Sequence, residues 1–372
     1  MNRFLPIMLA CAFVALVVWL GYNFYQQDGS EPAAEGTPSF SLAWSEYPSW
    51  SVFGVAHERG LINGAEGKVG PIEKKHGVDI ILKEADYDTC ITLYGSGTVD
   101  ASCQTNIDSL APSLTRDSVV ILPTSTSIGG DACIAVNFPD QGFKDESKRK
   151  EALLQWLKNN PTYGLEKSVS QYVYERNLEL MQKDVDLKDY SFKNMDPAAA
   201  SQAVQTGQAK VNCIMVWNPF VLQTLRTRQD SQILFDSSTI PEEVIDCVVV
   251  SKQSLAREGG SNFAKAVIET FYEVNKMLAD PKTADATYVA LGAKFSSLGA
   301  EDMKKVCQTT RFYDTPEKAL VLMQSKKFQT ETMPMIADFC QRRGMVKQKP
   351  VVGFNNQKAQ LNFDDSHLQS SE

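Results

Sequence analysis

The sequence predicts an α/β fold of two lobes, each a sheet covered by helices. Three observations carry this. Apolar, β-branched runs (VDIILKEA, SVVILPT, NCIMVW, IDCVVVS) alternate with helical patterns, the pattern of parallel or mixed sheets. Two apolar strands end in polar, small-residue runs, ILPTSTSIGGD and ILFDSSTIPEEVID, suited to crossovers that can hinge between lobes. The 372-residue length accommodates two domains of ordinary size.

The chain opens on an apolar run from Phe4 to Tyr25, uncharged through Leu20, with Trp19, Tyr22 and Tyr25 at its far end. Its length suits a membrane-spanning anchor or a long signal sequence. Arg3 before it and acidic residues after it place the N-terminus in the cytoplasm and the body outside. A hydrophobic helix over 1–25 is therefore expected, then a polar Gly/Pro/Ala/Glu linker over 26–38 that spaces the body from the membrane.

Within the body, Ser39–Trp44 reads as the first strand and 51–59 as a helix stopped by Gly60. VDIILKEA gives the second strand, with a helix over 88–94 after it. The short strand 99–104 precedes a helix start at 106–111, and SVVILPT is the next strand. IAVN, helices over 145–159 and 170–182, and the strands NCIMVW and IDCVVVS follow. From Ser261 the pattern is mainly helical, FAKAVIETFYEVNKML being the clearest amphipathic segment. The crossovers divide the body into a first lobe of 39–124 plus 242–372 and a second of 125–241.

Formal net charge is -8, and no basic run follows the N-terminus, so no nucleic-acid partner is expected. Eight cysteines show no CxxC or metal spacing. GxSxG, HExxH, P-loop and GxGxxG motifs are absent, and the three histidines, His57, His76 and His367, neighbour no serine or cysteine motif. No catalysis, cofactor or metal is expected. What recurs is an aromatic or short polar cluster at each strand's C-terminal end, where open α/β sheets place ligands. Trp44, Ser45, Glu46 and Tyr47 end the first strand, and Asp86 and Tyr87 the second. Thr105, Asn106 and Asp108 end the third, and Trp217 and Asn218 close NCIMVW. These clusters and crossovers carry Glu46, Asp86, Asp108, Asp131, Glu243 and Asp246 but no lysine or arginine. Anions favour arginine or a helix N-terminus. Carboxylates beside Trp and Tyr faces suit a small cation or amide instead.

At these residues the sequence resembles a known family. AWSEYPSW, DYDTCITLYGSGTVDASCQTNIDSL, SIGGD, LEKSVSQYVYER, VWNP, FDSSTIPEEVID, TTRFYDTPEKA and LNFDDSHL occur in the order found in substrate-binding proteins of nitrate/sulfonate/taurine ABC importers. The nearest branch is the urea-carboxylase-related one. The resemblance runs from about Phe40 to Leu368. It implies a type II periplasmic binding-protein fold, a monomer closing on a small-molecule ligand between its lobes, with ABC permease and ATPase partners on the extracytoplasmic face. Guanidine, urea and short amides are the implied ligands. Carried over position by position, the ligand residues are Trp44, Tyr47, Trp50, Asp86, Tyr87, Asn106, Asp108, Ser127, Asp131, Ser168, Ser170, Trp217, Asn218 and Glu243. Trp50 is expected either there or beneath the first helix. The chain departs from the family at Glu242, where PEEVID stands for the usual PGEIID, and at Ser125, where an aspartate is usual. Two other readings share the fold. One is a ligand-sensing receptor coupled to a membrane partner. The other is an enzyme related to thiamine-pyrimidine synthesis, whose cysteine-rich loop this sequence lacks.

Overall fold

A computed structural model describes residues 31–139, 145–208, 210–295 and 298–369. The expected anchor over 1–25 lies outside them. Among the described residues no helix is long and apolar enough to cross a membrane.

Two main sheets organise the body. The larger is mixed, with strands in the order Val352–Phe354, Leu361–Phe363, Ser118–Ser127, Ile245–Ser251, Ala101–Thr105, Ser39–Trp44 and Asp79–Glu84; Thr310–Phe312 pairs the end of Ser118–Ser127. Ile245–Ser251 runs antiparallel between Ser118–Ser127 and Ala101–Thr105. It is buried along its whole length, which suits a central strand rich in valine. Val248, Val249 and Val250 are each fully removed from water, a contribution of about 1.5–3 kcal/mol per side chain. The smaller sheet has the order Ser231–Asp236, Asp131–Val136, Cys213–Trp217, Thr162–Gly164 and Phe192–Asn194.

Helices follow the apolar spacing. The Gly260–Ala279 helix buries Phe263, Val267, Phe271 and Val274 on one face. The Glu146–Asn159 helix starts at an Asp145 cap and the Val169–Met181 helix at a Ser168 cap, each side chain accepting a backbone N–H two residues on. The helix start expected at 106–111 is a turn, with helix only at Leu110–Ser113. Asn106 does not cap it: its side chain accepts the Ile245 N–H at 2.9 Å and donates to the Glu243 carbonyl at 3.1 Å. Thr105 holds the turn instead, its hydroxyl accepting the Asp108 N–H at 3.0 Å.

The chain passes from one sheet to the other at residues 128–130 and returns through 237–244. Ser125, Thr126 and Ser127 still pair within the large sheet, three residues beyond the boundary expected at Ser125. At the outward crossing Gly129 has φ 110°, a backbone open in practice to glycine. A Cβ on Gly130 would lie 3.1 Å from both the Ser127 hydroxyl and the Thr309 carbonyl. On the return, Glu242 has φ 61°, the left-handed region that glycine enters without cost. A glycine, as the resemblance leads one to expect here, would suit this backbone; Glu242 holds it while pairing with Arg311 at 3.1 Å.

Candidate functional site

Strand direction brings the site together. Ser39–Trp44, Asp79–Glu84 and Ala101–Thr105 are parallel, so the segments after them, 45–50, 86–87 and 106–108, gather at one edge of the large sheet. Asp246 enters the neighbouring strand at that edge, in register with Thr105 on one side and Ser125 on the other. In the small sheet Asp131 opposes Trp217 at the edge nearest the crossings. These edges enclose a cavity lined by Tyr47, Trp50, Tyr87, Thr105, Val244 and Asp246 from the large-sheet side and Asp131, Val169 and Trp217 from the small-sheet side. It leaves ≈ 10 Å³ for the centre of a water-sized body, about the space of one water.

Its walls are aromatic. The Trp50 ring stacks on Tyr87 at 5.4 Å and 15°, Tyr47 tilts against Trp50 at 4.8 Å, and Trp217 meets Tyr87 edge-on at 5.5 Å. The Tyr87–Trp217 pair joins the two sides and also borders a wider outer cleft of ≈ 330 Å³, where Ser45, Glu46, Asp86, Asp88 and Asp196 gather.

Three buried carboxylates surround the rings. Asp108 accepts the Tyr87 hydroxyl at 2.7 Å, the Thr105 hydroxyl at 2.9 Å and, from the small-sheet side, the Val169 N–H at 3.3 Å. Burial nevertheless raises its pKa from 3.8 to about 6, against the lowering by those donors. Asp131 is likewise raised to about 6, first by burial and then by the charges of Asp108 and Asp236, with Ser127 opposing. Asp246 is raised well above the ordinary carboxylate range by burial and by Asp131 and Asp108, although Ser125 donates to it at 2.5 Å. Burial also lifts the Tyr47 hydroxyl, with Asp246 and Asp131 adding to the effect. Thr310 and Ser127 oppose that rise, and the Trp50 Nε1 is buried without a hydrogen-bond partner. Among the described residues no lysine, arginine or histidine lines the cavity. As it stands the cavity has room for about one water. With the two sheets parted enough to admit a small solute, the same residues can stack on it and accept hydrogen bonds from it.

Tyr47, Trp50, Tyr87, Asp131 and Trp217 therefore meet around one cavity, from both of its sides, with Asp108 hydrogen-bonded to Tyr87. Other expected ligand residues lie elsewhere. Trp44 packs beneath the Ser51–Glu58 helix, where a Cβ on Gly54 would come within 2.7 Å of its ring, so Trp44 rather than Trp50 supports that helix. Asp86 caps the Tyr87–Gly95 helix through the Thr89 N–H at 3.0 Å and borders the outer cleft. Asn106 is occupied by backbone, as above. Ser127 pairs with Ser237 at 2.7 Å, and Asn218 donates to Thr309 at 3.0 Å. Ser168 is a helix cap, and Ser170 is buried in the first turn with its hydroxyl unpartnered. Glu243 accepts Tyr172 at 2.6 Å and Arg176 at 3.1 Å. Thr105, Val169, Val244 and Asp246 line the cavity but stand outside the expected set. The signal for Asp246 was an acid set in an otherwise apolar run, DCVVV; Thr105 stood in the polar cluster that ends the third strand.

No protein-family model matches the sequence, and no curated protein matches it. Solved structures do. The aliphatic sulphonate binding protein SsuA of Escherichia coli superposes with a TM-score of 0.58 at 15% identity, covering 84% of this chain and 89% of that one. The alkanesulfonate-binding SsuA of Xanthomonas axonopodis pv. citri, bound to MOPS, gives 0.61 at 14%, covering 85% and 96%. The nitrate-binding protein NrtA of Synechocystis gives 0.51 at 13%, covering 82% and 86%. The fold is that of the periplasmic binding proteins, and at these identities the likeness is one of fold.

Proposed function

We propose that this chain is the extracytoplasmic, membrane-tethered binding component of an ABC importer, taking a small cationic or amide-like nitrogen solute without catalysis. The two sheets with their helices act as the lobes, and the crossings at 128–130 and 237–244 as the hinge. The observation that carries the reading is the cavity itself: set between two sheets, walled by Tyr47, Trp50, Tyr87 and Trp217, and acidic through Asp131 and Asp246. Closure excludes water and so strengthens each polar contact to the solute. Differential affinity for the closed state is what a permease can read. The sulfonate and nitrate of the similar structures are anions, which buried carboxylates without a facing cation repel. Isothermal titration with guanidinium, urea, acetamide, nitrate and taurine tests this. Binding of a nitrogen cation or amide, with none of the anions, is expected; tight binding of nitrate or taurine alone would overturn it.

A further inference from the structure

The inference here rests on the cavity being the ligand site and concerns what kind of nitrogen group it takes. We infer that the ligand carries a hydrogen-bond acceptor beside its N–H donors, a ureido or carboxamide group rather than a guanidinium, and that the Trp50 indole N–H reads the acceptor. One lining residue leaves a polar atom unpaired: Trp50 is 3% exposed and its Nε1 has no partner. An indole N–H only donates. A buried donor without an acceptor is destabilising, so native proteins rarely keep one without a reason.

The neighbouring groups do not supply that acceptor. The Tyr87 hydroxyl donates to Asp108 and accepts the Thr105 N–H at 3.0 Å, so its capacity is used locally. Ser125 and Ser49 bond one another at 2.8 Å, and Ser125 also donates to Asp246. The residues lining the cavity thus supply acceptors at Asp131 and Asp246 and an unpaired indole donor at Trp50.

A guanidinium has N–H groups for the carboxylates but no acceptor, and it leaves the indole N–H as it found it. A urea or carboxamide presents N–H groups to a carboxylate and a carbonyl oxygen to the indole in one planar unit, while its faces lie against the rings. The burial that favours the protonated forms of Asp131 and Asp246 also removes any need for a full positive charge on the ligand. Selectivity follows from pairing: a site built to hydrogen-bond a group discriminates strongly against an analogue that leaves its polar atoms bare.

The test is calorimetry on the full chain in detergent, with urea, methylurea and acetamide set against guanidinium and methylguanidinium. Wild type and Trp50→Phe, which keeps a ring and deletes the N–H, are compared, with Tyr47→Phe as a second variant. At least one acceptor-bearing probe is expected to bind about tenfold tighter than guanidinium. Trp50→Phe is expected to weaken that probe about tenfold more than it weakens guanidinium, with the chain still folded by its melting curve. Guanidinium binding as tightly as the acceptor-bearing probes, or Trp50→Phe weakening both sets alike, overturns the acceptor inference while the nitrogen-solute reading stands. Absence of binding by every probe overturns both.

Discussion

Asp131→Asn separates what the site costs from what it binds. In the folded chain the Asp131 carboxyl, buried and facing other acids, has its pKa raised from 3.8 to about 6. The folded state therefore holds a proton that the unfolded state has lost between pH 3.8 and about 6. Stability from this group is fully present at low pH and falls as pH rises through that window. At about 1.4 kcal/mol per pH unit, the ionised carboxylate costs the folded state about 3 kcal/mol at pH 7. Asparagine keeps the shape and one acceptor for Ser127 while removing the charge, so a gain of about 1–3 kcal/mol is expected at pH 7. For a chain of this size that raises the melting temperature by roughly 2–4 °C. Differential scanning fluorimetry of both proteins without ligand, from pH 4 to 8, reads it directly. The variant should melt higher at pH 7, and the gap should narrow towards pH 4, while binding of the nitrogen solute falls by at least about tenfold. A variant melting several degrees lower at pH 7 would refute the claim that this carboxylate is held at a cost.

Four further outcomes follow from the packing. Gly54→Ala forces a methyl against the Trp44 ring and is expected to cost about 1–3 kcal/mol in urea unfolding, with ligand affinity little changed. Arg343→Ala strands Glu175, whose side chain is 5% exposed and paired with Arg343 at 2.6 and 2.9 Å; a loss of about 3 kcal/mol in the same assay is expected, whereas Glu175→Gln should cost less. Glu242→Gly should be near neutral or stabilising by up to about 1 kcal/mol, since strain at φ 61° is relieved while chain entropy and an exposed ion pair are given up. Cys90, Cys103, Cys133, Cys213, Cys247 and Cys340 are buried free thiols, with burial raising the pKa of Cys90 to about 12; a colourimetric thiol reagent should modify them only on unfolding, and rapid native modification of several would contradict the packing.

Strands were legible because their cause is local. Runs such as CVVV and CIMVW have one stable place, a sheet interior, and they occupy it. Polar residues near strand ends were ambiguous because their partners are distant in sequence. Asn106 is matched by Ile245 and Glu243, and Glu243 by Tyr172 and Arg176, pairings that no short window reveals. Ser168 looks the same as a helix cap or a ligand contact until the helix start is seen. Both Trp44 and Trp50 were expected at the ligand; the chain turns between them and sends the Trp44 ring under the helix and Trp50 to the cavity. Asp246 was visible as an acid next to others, but its place between Thr105 and Ser125 follows only from the antiparallel register of Ile245–Ser251.

The position of the two cavity carboxylates along the chain has a mechanical consequence. Asp131 follows the Gly129–Gly130 crossing directly, and Asp246 comes two residues after Val244 at the end of the return crossing. If the sheets part about these crossings, a solute gripped there pulls close to the pivot and has a short lever arm. Torque about a pivot scales with distance, so the same bond made further out opposes opening more effectively. The Glu175–Arg343 pair and the Arg226–Asp302 pair join segments away from both crossings in sequence. On the proposed function, these pairs oppose opening from outside the crossings, while the carboxylates meet the solute.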